Sequence, residues 1–292
     1  MPSVTRSVSA AFDHTGRILF RPFDVGKWFV MGFCAFLAGL GGGFSFRFPS
    51  SPFGSEHETF NESLLWVHQH LVLVIILAVL ALLLIAVIGT LFAWLAARGE
   101  FMFLDGIVHN RAQVSEPWHR FRTPANQLFL YRIAVAVAML LFLMVMVLIG
   151  VVLAFPLIRQ GSEAQLWKPL LFLALPTVLV MIGFGLFLMV LADFGVPLMY
   201  QAQVRPSEAM AIFRAEVLPG HAGAFVLFYL LKLGLAIGAG ILILFAGCLT
   251  CCIGFLPYLS SVLTLPVAVF FRCYALDLLA QIDGKWDLFQ AK

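Results

Sequence analysis

Residues 71–97 read LVLVIILAVLALLLIAVIGTLFAWLAA, a run of 27 residues without a charged side chain. An α-helix needs roughly 20 mostly apolar residues to cross about 30 Å of hydrocarbon. Because an unpaired backbone amide in lipid costs several kcal/mol, a run of this kind must form its hydrogen bonds within one helix. The stretch therefore predicts a transmembrane helix. Apolar residues from Phe101 to Val108 keep helical spacing, which predicts that this helix continues past Arg98.

The composition of the whole chain agrees with this run. Hydrophobic residues occupy 62% of the 292 positions and charged residues only 11%, whereas a soluble domain is about half apolar and about a quarter charged. The formal net charge of +3 is too small to favour a nucleic-acid partner. The composition predicts an integral membrane protein that binds no nucleic acid.

Six stretches of the chain are long and apolar enough to span a bilayer. They lie at about 28–46, 71–97, 133–155, 170–192, 233–255 and 258–279. The tripeptide LPY at 256–258 is the expected turn between the last two, and such fully apolar runs exclude the alternating pattern of a membrane β-barrel. We predict an all-α polytopic membrane protein whose six helices form three hairpins. Residues 28–280 are its single domain, with a lead at 1–27 and a tail at 281–292.

The basic residues predict an orientation. With six spans both termini lie on one side, and that side receives all but three of the 18 Lys and Arg residues. The exceptions are Arg47, Arg159 and Lys168. Because Lys and Arg are retained on the cytoplasmic side during insertion, both termini are expected to be cytoplasmic. The expected location is the bacterial cytoplasmic membrane.

The lead at 1–27 has the pattern of an amphipathic helix lying in the membrane surface. Its apolar residues fall near one helical face: Val4, Val8, Ala11, Phe12 and Leu19. A cleaved signal peptide is disfavoured, because the polar lead is long and no small-x-small cleavage site ends the first span. A mitochondrial presequence is a weaker alternative, since Asp13 and Asp24 are unusual in one.

Two loops carry a related motif, SEPWHRFR at 115–122 and SEAMAIFR at 207–214. Each motif predicts a short amphipathic helix on the cytoplasmic face, followed by an aromatic-rich entry to the next span that ends in Arg132 or Lys232. Lys27 holds the corresponding place before the first span, so the three basic residues are 105 and 100 positions apart. This spacing predicts one unit of surface helix, basic anchor, outward span and return span, used three times.

Aromatic and basic residues gather where the spans should enter the bilayer, a mixture typical of headgroup depth. The candidate anchors or lipid-headgroup ligands are Lys27, Trp28, Trp118, Arg120, Arg122, Tyr131, Arg132 and Lys232. Asp193 and Arg272 are candidate intramembrane polar groups, unless they reach the surface by snorkelling. The expected partners are the lipid bilayer, including anionic lipids, and another membrane protein or a second copy. Plain interfacial anchoring is the first interpretation of these aromatic and basic residues, and specific binding of an anionic lipid or a partner protein is the alternative.

Three of the five cysteines lie in CLTCC, at positions 248, 251 and 252. A zinc site normally needs four ligands, and this motif supplies three without a nearby His or acidic residue. A dithiol oxidoreductase usually needs a second exchanging pair, whereas Cys34 and Cys273 lie towards the other ends of their spans. We therefore interpret the motif as small packing residues or a disulfide, and we expect no metal and no cofactor.

Three longer stretches carry a family resemblance: FRPFDVGKWF at 20–29, RGEFMFLDGIVHNRA at 98–112, and LPYLSSVLTLPVAVFFRCYALDLLAQ at 256–281. They resemble a group of six-span bacterial membrane proteins that includes the membrane domain found beside glycerophosphodiester phosphodiesterases. The resemblance is architectural, and with no soluble phosphodiesterase domain expected after Lys292 it implies no phosphodiesterase residue in this chain.

The chain contains no HExxH, P-loop or Gly-x-Ser-x-Gly motif, so no enzymatic activity is expected. The predicted function is that of a scaffold, a lipid-interacting factor or a partner subunit. The alternative is a transporter or lipid-moving protein with a cavity between the hairpins. A polar cavity lined by Asp193, Lys232 or Arg272 would favour this alternative, and a solidly packed bundle would favour the first interpretation.

The predicted orientation can be tested with reporter fusions. Fusions after Ala112 and after Lys292 should report the cytoplasm, and a fusion after Ser55 should report the opposite side, because the basic residues surround the first two positions. Enzymatic reporters active on only one side of the membrane provide the measurement. A cytoplasmic signal at Ser55 would contradict the orientation.

Overall fold

A computed structural model describes residues 3–21, 23–40, 70–159, 167–249 and 257–289, and the regular structure within these ranges is helical throughout. The α-helices in chain order are α1 (Val4–Phe20), α2 (Val25–Gly39), α3 (Leu71–Val108), α4 (Ser115–Arg120), α5 (Arg122–Arg159), α6 (Trp167–Val190), α7 (Val196–Ala202), α8 (Pro206–Ile212), α9 (Ala222–Leu249), α10 (Pro257–Leu263) and α11 (Leu265–Ile282). Two π-helical segments, Leu191–Gly195 and Phe213–Val217, follow α6 and α8.

Five helical stretches in the described part of the chain are long and apolar enough to cross a membrane. They are Leu71–Val108, Arg122–Pro156, Leu171–Ala202, Ala222–Phe245 and Leu265–Ile282. The first four carry large apolar side chains on their outer surfaces, for example Leu82 and Leu148, which are 69% and 62% exposed. Such surfaces are stable in hydrocarbon and costly in water. The protein is therefore an all-helical, multi-pass membrane protein.

The ends of several predicted spans differ from those of the helices. Helix α2 replaces the first predicted span and has 15 residues, while the predicted remainder to residue 46 lies outside the described residues. The last predicted span is divided at Thr264 into α10 and α11, because Pro266 has no N–H to continue the hydrogen-bond ladder. Helix α3 runs on to Val108, which confirms the predicted extension beyond Arg98.

Both predicted loop helices are present as α4 and α8. Helix α8 begins at Pro206, where the missing N–H has no partner in any helix. Glu208 accepts a hydrogen bond from the backbone N–H of Arg205 at 3.3 Å, which satisfies one free donor at this helix start. The loop between α3 and α5 thus contains α4, and the loop between α7 and α9 contains α8.

The packed core lies where one end of the long helices meets α1, α7, α8 and α11. Stacked and edge-on aromatic rings run through it, with Phe121 and Tyr200 at 4.9 Å, Phe194 and Phe228 at 5.3 Å, and Phe228 and Tyr274 at 4.4 Å between ring centroids. Aromatic pairs at such distances contribute roughly 0.5–1.5 kcal/mol beyond their buried area. These contacts join helices distant in sequence into one core.

A buried carboxylate links α3 to α7 within this core. Asp105 is fully buried and accepts a hydrogen bond from the Tyr200 hydroxyl at 2.8 Å. Arg111 forms an ion pair with Asp105 at 3.0 Å and a second one with Glu116 at 2.9 Å. Since a buried charge is tolerated only when it is paired and hydrogen-bonded, this network fixes the positions of α3, α4 and α7 together.

Helix α1 packs along α11 in the opposite direction. Gln281 donates to the Ser7 hydroxyl at 2.9 Å, and the rings of Phe12 and Phe270 lie 4.6 Å apart. Of the face predicted to lie in the membrane surface, Val4, Ala11 and Leu19 are buried against protein. Much of this apolar face is therefore used inside the molecule, since burying it on α11 removes its need for a lipid surface.

The described part of the C-terminal tail is held against the ends of two loops. Lys285 forms an ion pair with Glu216 at 2.5 Å, and the Gln201 side chain donates to the Lys285 carbonyl. The hydrogen bond to Glu216 raises the pKa of Lys285 above its ordinary value, because it favours the charged amine. The tail thus remains beside α11 and the π-helical segment Phe213–Val217.

Helices α2 and α3 approach one another closely at Gly99. A Cβ atom on Gly99 would lie 2.4 Å from the Ala38 nitrogen and 2.5 Å from the Leu37 Cβ. Gly89, ten residues earlier on the same helix, has no atom within 4 Å of the corresponding position. Small residues that let backbones approach are typical of helix contacts in membranes.

We expect Gly99→Ala to destabilise the protein, because the added methyl group would meet backbone atoms of α2 that cannot move alone. Overpacking of this kind costs roughly 1–3 kcal/mol. Gly89→Ala is the matched control and should cause little or no loss. Thermal unfolding of both variants in the same detergent provides the measurement. Equal stability of the two variants would contradict the close contact of α2 and α3.

Candidate lipid-headgroup site

The guanidinium of Arg98 lies between two tryptophan rings. Its central carbon is 4.4 Å from the ring centroid of Trp94 and 4.6 Å from that of Trp118. The two indoles are edge-on to each other at 5.9 Å. A cation over the face of tryptophan is stabilised by roughly 0.5–2 kcal/mol, depending on how far it is desolvated. The two rings therefore hold the charged group in one place.

Local sequence spacing brings the parts of this site together. Trp94 and Arg98 are four residues apart on α3 and so occupy one face of the helix. The same spacing places Asn126 one turn after Arg122 at the start of α5. The Asn126 side-chain oxygen accepts hydrogen bonds from the Trp94 indole at 3.1 Å and from Arg98 at 3.3 Å. We call these residues, Trp94, Arg98, Trp118, Arg122 and Asn126, the Arg98 site.

The site carries positive charge without a carboxylate. Arg98 is only 6% exposed, and among the described residues it forms no ion pair with Asp or Glu. The Arg98 Nε is buried and has no hydrogen-bond partner among the described residues. A buried cation is normally paired, so the geometry suits an anion. A guanidinium matches the geometry of phosphate well.

Of the other predicted headgroup candidates, Arg120 and Tyr131 lie apart from the Arg98 site. The Arg120 guanidinium is exposed and lies 5.4 Å from the Phe121 ring centroid. The Tyr131 ring lies 6.3 Å from that of Phe187 on α6. Trp118 and Arg122 are thus the two predicted residues that the structure brings together with Arg98.

Lys27 and Trp28 connect α2 to the end of α1. The Lys27 amine donates to the Ile18 carbonyl and to the Asn110 side chain, each at 2.5 Å. The Trp28 indole donates to the Leu19 carbonyl at 2.9 Å. Since the last carbonyls of a helix have no partner within it, these two side chains cap α1 and fix its position on α2.

Arg132 and Lys232, predicted as anchors, each bind a carboxylate on an earlier helix. Arg132 donates to both oxygens of Glu100, at 2.6 and 2.9 Å. Lys232 forms an ion pair with Asp193 at 2.5 Å. The four side chains are between 10% and 21% exposed, so both pairs lie largely within the protein.

The two candidate intramembrane polar groups meet at a π-helical segment. Asp193 belongs to Leu191–Gly195, and Arg272 on α11 donates to the Ala192 carbonyl at 2.6 Å. A π-helical turn interrupts the regular hydrogen-bond ladder and is common at functional sites. Here the interruption leaves a carbonyl that Arg272 binds. Asp193 and Arg272 are therefore paired with protein groups.

Glu100, Trp94, Arg98 and Asn126 were not among the predicted site residues. Trp94 and Arg98 stand at the end of the charge-free run in α3, and their four-residue spacing was a signal that sequence reasoning could have used. The partners of Arg132 and Lys232 are 32 and 39 residues away, and no local pattern indicates contacts over that separation.

The CLTCC cysteines fall mostly beyond what the structure describes. Cys251 and Cys252 lie outside the described residues, and Cys248 belongs to α9. Cys34 and Cys273 are buried free thiols. Within the described ranges, no three His, Cys, Asp or Glu residues are grouped so that they could hold a metal ion. The interpretation of CLTCC as packing residues or a disulfide stays a prediction.

Comparison with known proteins relates most of the chain to a protein family. The model of a family of unknown function, DUF7544, matches residues 3–259. No curated protein and no solved structure matches the chain significantly. The matched range begins at the start of α1 and ends within α10, so it includes the Arg98 site and the two ion pairs made by Arg132 and Lys232.

We expect Glu100→Gln to destabilise the protein by roughly 3–5 kcal/mol, because it leaves the Arg132 charge buried without its partner. Replacing both residues, Glu100→Met with Arg132→Met, should cost less, since no unpaired charge remains. Glu216→Gln, which breaks the exposed pair with Lys285, is the control and should have little effect. Thermal unfolding compares the three variants. A double variant as unstable as Glu100→Gln would contradict this account.

Proposed function

This chain belongs to the DUF7544 family of unknown function. From its own residues, we propose that it is a non-enzymatic membrane protein that binds anionic phospholipids at the Arg98 site. The observation that carries the proposal is the guanidinium of Arg98. It is buried, lies 4.4 and 4.6 Å from the ring centroids of Trp94 and Trp118, and is paired with no carboxylate among the described residues.

A lipid phosphate would supply the anion that this site lacks. Arg98 and Arg122 offer two neighbouring positive charges, and a basic residue close to an anionic membrane surface contributes about 1 kcal/mol to binding. Tryptophan is enriched at headgroup depth, because its ring is apolar and its N–H is polar. In the Arg98 site the Trp94 N–H is bound to Asn126, so the ring remains available to stack on the cation.

The proposal includes the predicted topology. We propose six spans arranged as three hairpins, with both termini on the cytoplasmic side of a bacterial inner membrane and the Arg98 site facing the inner leaflet. The distribution of Lys and Arg along the chain supports this orientation. The equivalent ion pairs of Arg132 with Glu100 and of Lys232 with Asp193 support a repeated arrangement.

The alternative, a transporter or lipid-moving protein, would need charged groups that face a water-filled cavity. Asp193 and Lys232 instead bind one another, and Arg272 binds a backbone carbonyl. Charges satisfied within the protein in this way support packing of the bundle rather than passage through it. We therefore favour the lipid-interacting role.

Replacing both Arg98 and Arg122 with Gln should weaken retention of anionic phospholipid by roughly 2 kcal/mol, at about 1 kcal/mol for each basic residue. Native mass spectrometry of protein released gently from membranes containing phosphatidylglycerol and phosphatidylcholine measures which lipids remain bound. The expected result is selective loss of phosphatidylglycerol.

Arg159→Gln is the matched control, because Arg159 also lies over an aromatic ring, that of Phe155 at 4.5 Å, but at the opposite end of α5. It should retain lipid as the unmodified protein does. Unchanged phosphatidylglycerol retention in the double variant would overturn the proposal. The reporter fusion after Ala112 verifies that the variants insert in the same orientation.

A further inference from the structure

An apolar groove of about 520 Å³ lies between α1, α9 and α11. Helices α1, α9 and α11 contribute no residue to the Arg98 site, so the groove and that site are separate. Cavities of roughly 300–1,000 Å³ lined mainly by apolar side chains are typical of ligand sites. The volume and the apolar lining of the groove are therefore those of a ligand site.

The α9 wall of the groove is open because it carries small residues. Gly234 and Gly238 are four residues apart and thus on one face, and no atom lies within 4 Å of a Cβ placed on either. Leu242, one turn further, also lines the groove and is 70% exposed. Leu242 belongs to the outer surface of a membrane-crossing helix, so the groove is continuous with the surface that contacts lipid.

The α1 wall presents aromatic side chains to the same space. Phe12 and Phe20 line the groove and are 61% and 52% exposed, although α1 is not among the membrane-crossing helices. Exposing two phenylalanine rings to water would be costly. Thr15 also lines the groove, and its hydroxyl already donates to the Ala11 carbonyl at 2.7 Å. The lining thus favours an apolar occupant.

We propose that this groove holds one acyl chain of a bilayer lipid, which enters between α9 and α11 and lies against Phe12 and Phe20 of α1. Three features of the groove favour this occupant: its continuity with the lipid-facing surface of α9, its apolar lining, and the open space at Gly234 and Gly238. The proposal is independent of the phosphate site, because the groove and the Arg98 site share no residue.

We expect the acyl chain to bind the groove with a small free energy but at one defined position. The acyl chain itself gains little from the transfer, because it leaves hydrocarbon to enter the groove. Shielding of Phe12 and Phe20 from water and van der Waals packing against their rings must therefore retain it. Site-specific labelling is therefore a better test than an affinity measurement. The probe is a phospholipid with a photoreactive diazirine near the end of one acyl chain.

The test uses the full chain in nanodiscs that contain the photoreactive phospholipid, followed by peptide mapping of the labelled positions. We expect labelling of the α11 peptide that contains Phe270 and Phe271 to exceed labelling of the lipid-facing surface of α3 around Leu82. Gly238→Leu fills the groove and should abolish the α11 labelling while leaving that of α3 unchanged. Arg98→Gln with Arg122→Gln should leave both unchanged, which separates this proposal from the phosphate site.

Gly185→Leu is the matched control, because Gly185 lies on α6 and likewise has open space around it. It should keep the α11 labelling. Persistence of the α11 labelling in Gly238→Leu would overturn the proposal. A dimer in native mass spectrometry that is lost in Gly238→Leu would also overturn it, because a second copy of the chain would then be the occupant of the groove. Should Gly238→Leu fail to fold, equal labelling of α11 and α3 in the unmodified protein would also overturn it.

Discussion

Two ion pairs at the points where α5 and α9 leave the core determine how the long helices are placed. In each pair a basic residue on one long helix binds a carboxylate on the preceding one, Arg132 with Glu100 and Lys232 with Asp193. Isolated charges at these largely buried positions would each carry a desolvation penalty of several kcal/mol. Each charge therefore needs its partner, and the two ion pairs fix the positions of neighbouring helices relative to one another along their axes. The stacked aromatic core and the Asp105 network lie beside these pairs, and their packing depends on the same arrangement of helices.

The membrane character of the chain was predictable from sequence, and so were most of its long helices. The charge-free run at 71–97 required only length and composition, because a bilayer imposes helical structure on such a segment. The extension of α3 to Val108 and the loop helices α4 and α8 followed from local spacing and from proline positions. The break at Thr264 could not be predicted from the sequence, because a proline in an apolar run is compatible with a continuous membrane helix.

The candidate site was predictable only in part. Trp118 and Arg122 were recognised as residues typical of headgroup depth. Trp94 and Arg98 lie on α3, and Asn126 lies one turn after Arg122 on α5, so their meeting with Trp118 is a tertiary event. The same holds for the contacts of Lys27 and Trp28, predicted as interfacial anchors or lipid-headgroup ligands, which hold α1 against α2. A basic or aromatic residue at a membrane boundary can bind a lipid headgroup or contact another helix of the protein. Composition does not distinguish these roles, because both place a positive charge at the same depth.

The packing of α1 on α11 has a consequence for the order of assembly. Ser7 and Gln281 are 274 residues apart, so α1 completes its contacts only after α11 has been synthesised. A chain made from the N-terminus at roughly 5–20 residues per second therefore inserts its other long helices while the partner of α1 does not yet exist. During that interval the apolar face of α1 has the bilayer surface as its available apolar environment. The apolar face of α1 thus has no protein partner on α11 until α11 has been synthesised, and its packing on α11 then completes the core.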